Sequence, residues 1–230
     1  NTTGNRNTAV GSGALANNTT ANDNTAVGRD ALKTNVTGYN NTAVGSFALT
    51  DNTAQNNTAV GKNALKVTTS GGQNTAVGTS ALDANTTASS NTAVGSDALF
   101  NNTSASNNTA VGKSALVANT TGAENTAVGG QALDANTTGS FNVAVGRNAL
   151  TANTTASFNH AIGVAALGSI TTGSQHVAIG YNAGGALTTG ISNVAIGHGA
   201  LDSTSTSNNT AVGWQSCGTN TTGTNLTAVG

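Results

Sequence analysis

Residues 91–99 read Asn91-Thr92-Ala93-Val94-Gly95 followed by Ser-Asp-Ala-Leu, and this short pattern recurs along the whole chain. The motif glycines stand at positions 11, 28, 45, 61, 78, 95, 112, 129, 146, 163, 180, 197, 213 and 230. The spacing between successive glycines is constant, except that the intervals from Gly45 to Gly61 and from Gly197 to Gly213 are each one position shorter. Residues 1–230 therefore form a single repeat array, and internal periodicity of this kind is typical of solenoid architectures.

Each repeat has the composition of one short strand followed by turns. The β-branched Thr and Val favour an extended backbone, and glycine is common where the chain must turn. A repeat of this length is too short for a strand, a helix of ordinary length and their connections. The sequence thus predicts an all-β fold, a parallel β-solenoid or β-roll of about fourteen 17-residue coils.

Equivalent positions of the aligned repeats are called slots here. The interior of the coils is predicted from the slots that never hold a charged residue. In a strand, alternate side chains share one face, so the Val slot and the Thr slot two residues before it lie on the same side. We expect this side, with the Leu four residues after the glycine, to face inward. The predicted core comprises Val10, Leu15, Val27, Leu32, Val44, Leu49, Val94, Leu99, Val145, Ile162, Ile179 and Ile196, and the predicted turn glycines are Gly11, Gly28, Gly45, Gly95, Gly146 and Gly197.

The alanine between Thr and Val occupies the opposite face of the same strand. If Val points inward, this alanine points outward and forms a strip on which a second copy could pack closely. The predicted self-association strip comprises Ala43, Ala59, Ala76, Ala93 and Ala110. Each coil buries few large apolar side chains for the backbone it must order, and this favours a homo-oligomer.

Two repeats carry a resemblance to a known family. The segments Asn142-Val-Ala-Val-Gly146 and Asn193-Val-Ala-Ile-Gly197 resemble the head repeats of trimeric autotransporter adhesins, the YadA-like head family, and similar repeats occur in bacteriophage tail fibres. The resemblance implies a left-handed parallel β-roll with three chains around a common axis, that is, a homotrimer.

Composition excludes several classes of function. Only 7% of the residues are charged and the net charge is −1, so the chain lacks the basic surface that nucleic acids require. No apolar run reaches the roughly 20 residues of a membrane-spanning helix, and no membrane insertion is predicted for this segment. No cofactor is predicted, because the glycines are not set in a phosphate-binding loop.

The reactive side chains are few and scattered. His160, His176 and His198 have no Cys, Asp or Glu nearby in the pattern that would complete a metal site. Cys217 stands in the Leu slot, where it is expected to fill the core as a small hydrophobe. No nucleophile is paired with a base, so no catalytic residue is predicted and the chain is expected not to be an enzyme.

The aromatic residues occupy two kinds of position. Tyr181 and Trp214 directly follow a repeat glycine, whereas Phe141 and Phe158 precede the motif Asn of successive repeats, and these aromatics are candidates for ligand binding. The two Phe side chains are expected to stack on each other across neighbouring coils.

These features predict a non-enzymatic structural or adhesive fibre segment, either an adhesin head or a tail-fibre shaft. Such a segment would be extracellular, on a cell surface or virion fibre, and would bind a host-surface or matrix receptor of unspecified identity. We expect the chain to be an excerpt of a longer fibrous protein. The alternative is an ice-binding β-solenoid, although the inward Thr slot expected above counts against it. A polysaccharide-cleaving tailspike would need paired carboxylates, which the scattered Asp residues do not provide.

Overall fold

The chain folds as an all-β parallel β-solenoid, as the repeat predicts, with about 13 coils where about fourteen are expected. A computed structural model describes residues 2–203, 205–219 and 221–230, and none of these residues is helical. The chain divides into two compact units, an N-terminal unit (Asn1–Ser114) and a C-terminal unit (Ala115–Gly230).

The N-terminal unit contains seven short strands. In chain order they are β1 (Thr8–Val10), β2 (Thr25–Val27), β3 (Thr42–Val44), β4 (Thr58–Val60), β5 (Thr75–Val77), β6 (Thr92–Val94) and β7 (Thr109–Val111). Each strand pairs in parallel with the next, and equivalent residues lie opposite each other, as Ala93 does with Ala76 and Ala110. Every slot of the repeat therefore becomes a column of like side chains.

The C-terminal unit repeats the same arrangement with more β-branched apolar residues. Its strands are β8 (Thr126–Val128), β9 (Val143–Val145), β10 (His160–Ile162), β11 (Val177–Ile179), β12 (Val194–Ile196), β13 (Thr210–Val212) and β14 (Thr227–Val229). They too pair in parallel and in register, so that Ile162 lies opposite Val145 and Ile179.

The two faces of the strands are reversed relative to the prediction. The side chains before the glycine point outward, and Val94 is 37% exposed. The predicted inward placement is therefore wrong for this column, whose members are exposed at Val10, Val44, Val94, Ile162 and Ile179 and half-buried at Val27, Val145 and Ile196. The Leu part of the predicted core is confirmed, since Leu15, Leu32, Leu49 and Leu99 are buried.

The alanine strip lies in the interior of the coils. Ala43, Ala59, Ala76, Ala93 and Ala110 are fully buried, so the prediction that they form a self-association surface is wrong. The reason is the small cross-section of the coil. A second alanine column, represented by Ala98, the Leu column and two columns of asparagine already occupy the interior, and only a methyl group fits beside them.

Asparagine ladders satisfy the backbone inside the coils. The Oδ1 of Asn24 accepts the backbone N–H of Asn41 in the next coil at 2.9 Å, and its Nδ2 donates to the carbonyl of Gly38 at 2.9 Å. A second buried column consists of the asparagines that precede the polar turn of each coil, such as Asn35. The Nδ2 of Asn35 donates to the same Gly38 carbonyl at 2.8 Å. The amides thus bond mainly to backbone, because a buried backbone group without a partner is costly.

Left-handed backbone conformations close each turn. Gly95 has a φ of 137°, and a Cβ at this position would lie 2.5 Å from the carbonyl oxygen of Gly112 in the next coil. Both the conformation and the close approach require glycine. Four residues later, Leu99 also adopts a positive φ, of 52°, and its burial offsets the strain of that conformation.

Candidate functional site

The outward face of the strands is a regular, uncharged surface. We call it the Thr/Val face; it comprises the first and third side chains of each strand. Parallel registration places like side chains in adjacent strands about 4.8 Å apart, so Thr92 and Val94 belong to two straight columns. None of these strand positions holds Asp, Glu, Lys or Arg, and one of them, His160, is an exposed imidazole. The face is therefore suited to contact with another neutral surface.

Charged side chains flank this face at the position directly after the glycine. Arg29, Lys62, Lys113 and Arg147 all lie there and are all exposed. Arg29 lies over the ring of Phe47, with 4.4 Å from its guanidinium carbon to the ring centroid, a cation–π contact. The position after the glycine is accordingly open to solvent.

Three aromatic rings occupy that same position in successive coils of the C-terminal unit. Tyr181, His198 and Trp214 each directly follow a repeat glycine, and we call them the aromatic column. The rings of Tyr181 and His198 meet edge to face with centroids 5.0 Å apart. Tyr181 is 59% exposed and Trp214 is 67% exposed. His198 is not among the aromatic residues expected to bind a ligand, although the glycine before it is the same signal.

A cavity of about 260 Å³ is lined by residues of the two turns that follow His198 and Trp214. It is lined by Gly199, Asp202, Gln215, Cys217, Gly218 and Thr219. Gly199 and Gln215 directly follow His198 and Trp214, so the cavity lies beside the column. Asn182 Nδ2 donates to Asp202 Oδ1 at 2.7 Å and orients the carboxylate.

A larger depression of about 600 Å³ lies in the N-terminal unit, at one of the two short repeats. The coil that runs from Gly45 to Gly61 is one position shorter than the coils on either side of it. The lining of the depression is neutral and mostly polar, and it includes Tyr39, Thr53, Gln55, Thr69, Gln73 and Ser89. Several of these hydroxyls already bond across coils: Thr69 Oγ1 donates to the Thr86 carbonyl at 3.0 Å, and Ser89 Oγ accepts from Gly72 N–H at 3.1 Å.

The predicted phenylalanine stack is confirmed. The rings of Phe141 and Phe158 are nearly parallel, with an interplanar angle of 3° and centroids 5.0 Å apart. Both rings remain exposed on the surface. The stack is a contact between neighbouring coils of the C-terminal unit.

The histidines adopt separate roles and form no cluster. His160 is exposed on β10, whereas His176 is buried in the slot that asparagine occupies in most coils. His176 Nδ1 accepts the N–H of Asn193 at 3.2 Å, and Nε2 lies 2.7 Å from the Gly190 carbonyl. A neutral ring with its proton on Nε2 therefore makes the same two hydrogen bonds as an asparagine amide in this slot. Burial lowers the pKa of His176, since it disfavours the charged ring.

Cys217 takes the place of leucine in its coil. Cys217 is half-buried in the Leu slot and shares its positive φ, at 53°. Within the described ranges, no three His, Cys, Asp or Glu side chains lie close enough together to hold a metal ion. The same ranges contain no helix of the length and apolar character needed to cross a membrane.

In comparisons with known proteins, no protein-family profile and no curated protein sequence matches this chain.

Proposed function

We propose that this chain is a non-enzymatic structural and adhesive fibre segment, displayed on a cell surface or a virion fibre, whose Thr/Val face binds further copies of the chain in a homotrimer. The observation that carries the proposal is the outward column of Val or Ile that each unit carries at the third position of its strands. An exposed apolar strip of this length on a soluble protein usually marks an interaction surface. The resemblance to trimeric adhesin heads supplies the expected number of chains.

The energy of such an interface accumulates over many coils. Fully burying a Val contributes about 1.5–3 kcal/mol, so covering the exposed two-fifths of one such side chain contributes about 0.6–1.2 kcal/mol. Over the seven strands of the N-terminal unit this amounts to about 4–8 kcal/mol. Association itself costs roughly 4–15 kcal/mol. A stable assembly therefore needs the face of many coils at once, which suits a fibre.

The proposal is tested by the mass of the assembly in solution. Sedimentation equilibrium of the native chain should give three times the 22.2 kDa chain mass. The double variant Val77→Glu/Val94→Glu places two carboxylates on the face and should sediment as a monomer, with an unchanged circular dichroism spectrum. Ser96→Lys is the matched control, because the position after the glycine carries Lys62 and Lys113 elsewhere. A monomeric native chain at every concentration contradicts the proposed assembly.

Ice binding is a second candidate, and one finding favours it. The Thr column, expected on the inside, shares the outward face with Val and is regularly spaced along each unit. Regular ranks of outward Thr on a solenoid can order water against ice. Because ice and a second chain would compete for the same face, a thermal-hysteresis measurement on the native chain and on Thr75→Lys/Thr92→Lys separates the candidates. Hysteresis in the native chain that the double variant abolishes would favour ice binding over assembly.

A further inference from the structure

We propose that the aromatic column and the cavity beside it form a binding site for a neutral carbohydrate chain. Tyr181, His198 and Trp214 would stack on the C–H faces of the sugar rings, and Asp202 and Gln215 would bond to their hydroxyls. This inference rests on the proposed adhesive function and names the class of ligand it uses. It does not depend on the Thr/Val face or on the number of chains.

The aromatic rings have the exposure and spacing that carbohydrate stacking requires. Aromatic residues make up 3% of the chain, and Trp214 is its one tryptophan, yet these rings lie on successive coils and face solvent. Exposing a tryptophan by two-thirds forgoes a large hydrophobic contribution to folding, which is characteristic of a binding anchor. Coils spaced at about 4.8 Å extend the column over about 10 Å, the length of two or three linked sugar rings.

The cavity supplies polar groups that match sugar hydroxyls. A carboxylate oxygen of Asp202 accepts from a hydroxyl, and the amide of Gln215 both donates and accepts. The bond from Asn182 uses Oδ1 of Asp202 and holds the carboxylate in place. At about 260 Å³ the cavity lies below the roughly 300–1,000 Å³ of pockets for drug-sized ligands, and it suits one sugar unit of a chain that runs along the column.

Charge selects a neutral glycan over other polymers. Residues 148–230, which follow Arg147, contain no Lys or Arg. Asp202 is the one acidic residue in the same range, and it lies in the cavity. Nucleic acids and sulfated or sialylated glycans require cationic contacts that this surface does not offer, and a lone carboxylate repels them. Neutral sugars bind through stacking and hydrogen bonds to carboxylates and amides without that requirement.

The site remains accessible if the Thr/Val face is covered. The aromatic column occupies the position after the glycine, where other coils carry exposed cations such as Arg29 and Lys113. Those charges would be costly inside an interface between copies, so this position belongs to the solvated rim. A glycan could therefore bind to the monomer or to the assembly.

The experiment begins with the full chain on an array of neutral and acidic glycans, followed by titration calorimetry with the neutral oligosaccharide retained most strongly. We expect saturable binding accompanied by a change in tryptophan fluorescence, which reports on Trp214 alone because it is the one tryptophan of the chain. Trp214→Ser and Tyr181→Ser should each weaken binding at least tenfold. Serine occupies this position at Ser12, Ser46 and Ser96, so both variants keep a residue that the repeat accommodates. Asp202→Asn tests the cavity and should also weaken binding.

Controls separate this site from the rest of the molecule. Phe158→Ser removes an exposed ring outside the column and should leave the affinity unchanged. Three results would each overturn the proposal. The array could retain no glycan, it could retain acidic glycans alone, or the affinity could be unaffected by Trp214→Ser and Tyr181→Ser. Adhesion of the chain to cells or matrix without any glycan binding removes this site but leaves the adhesive function. Glycan binding by a native monomer keeps the site but contradicts the homotrimer.

Discussion

Single substitutions on the two opposite faces of one strand give the sharpest test of how the coil is built. Ala93 and Val94 are neighbours on β6, but Ala93 is fully buried and Val94 is 37% exposed. Ala93→Val adds two methyl groups to an interior slot whose neighbours in register, Ala76 and Ala110, are also buried. Val94→Thr changes the outward face to the residue already present two positions earlier.

The expected magnitudes differ several-fold. Overpacking a close-packed interior costs about 1–3 kcal/mol, and in a chain of this size each kcal/mol lowers Tm by about 2–4 °C. Ala93→Val should therefore lower Tm by about 2–12 °C. An exposed substitution usually changes stability by less than about 0.5 kcal/mol, so Val94→Thr should shift Tm by about 2 °C or less.

Thermal unfolding followed by circular dichroism measures both changes. The scans should be made at a concentration where light scattering shows single chains, because contact between copies would add an interface contribution at Val94. Ala110→Val is the replicate on the next coil and should behave like Ala93→Val. If Val94→Thr destabilises the single chain more than Ala93→Val does, the assignment of inner and outer faces is wrong.

Three further perturbations test other parts of the coil. Asn91→Ala removes the acceptor of the Asn108 N–H and a donor to a turn carbonyl. Urea denaturation should therefore show that the free energy of unfolding falls by about 2–5 kcal/mol. A decrease below about 1 kcal/mol would contradict the structural role of the asparagine ladder. Gly95→Ala places a Cβ against the Gly112 carbonyl in a left-handed conformation and should lower Tm more than Ser96→Ala on the same turn. His176 is neutral when folded and its pKa is lowered from 6.5, so the unfolded chain binds more protons and stability should fall as the pH drops through about 6.5. His176→Asn should retain both hydrogen bonds and reduce the change of Tm with pH, measured on either side of the ordinary histidine pKa. If Tm changes with pH as much as in the native chain, the pH response belongs to other groups.

Periodicity made the fold predictable from sequence. Fourteen copies of one motif at a nearly constant spacing leave parallel stacking as the arrangement that satisfies every short strand. The Leu column, the turn glycines and the stack of Phe141 on Phe158 follow from the same alignment, because in-register stacking brings equivalent positions together. The aromatic column is likewise implicit in the sequence once His198 is aligned with its neighbours.

The inward or outward direction of each strand was decided by tertiary structure alone. Strand alternation shows that Thr92 and Val94 share a face and that Ala93 lies on the other, but it is symmetric with respect to inside and outside. The absence of charge on the Thr and Val slots predicts burial, but a neutral outward face produces the same pattern. The volume of the closed coil settles the choice. Buried Leu, alanine and two asparagine columns fill its narrow interior, so that only the methyl group of Ala93 fits inward and the larger β-branched side chains are left on the surface.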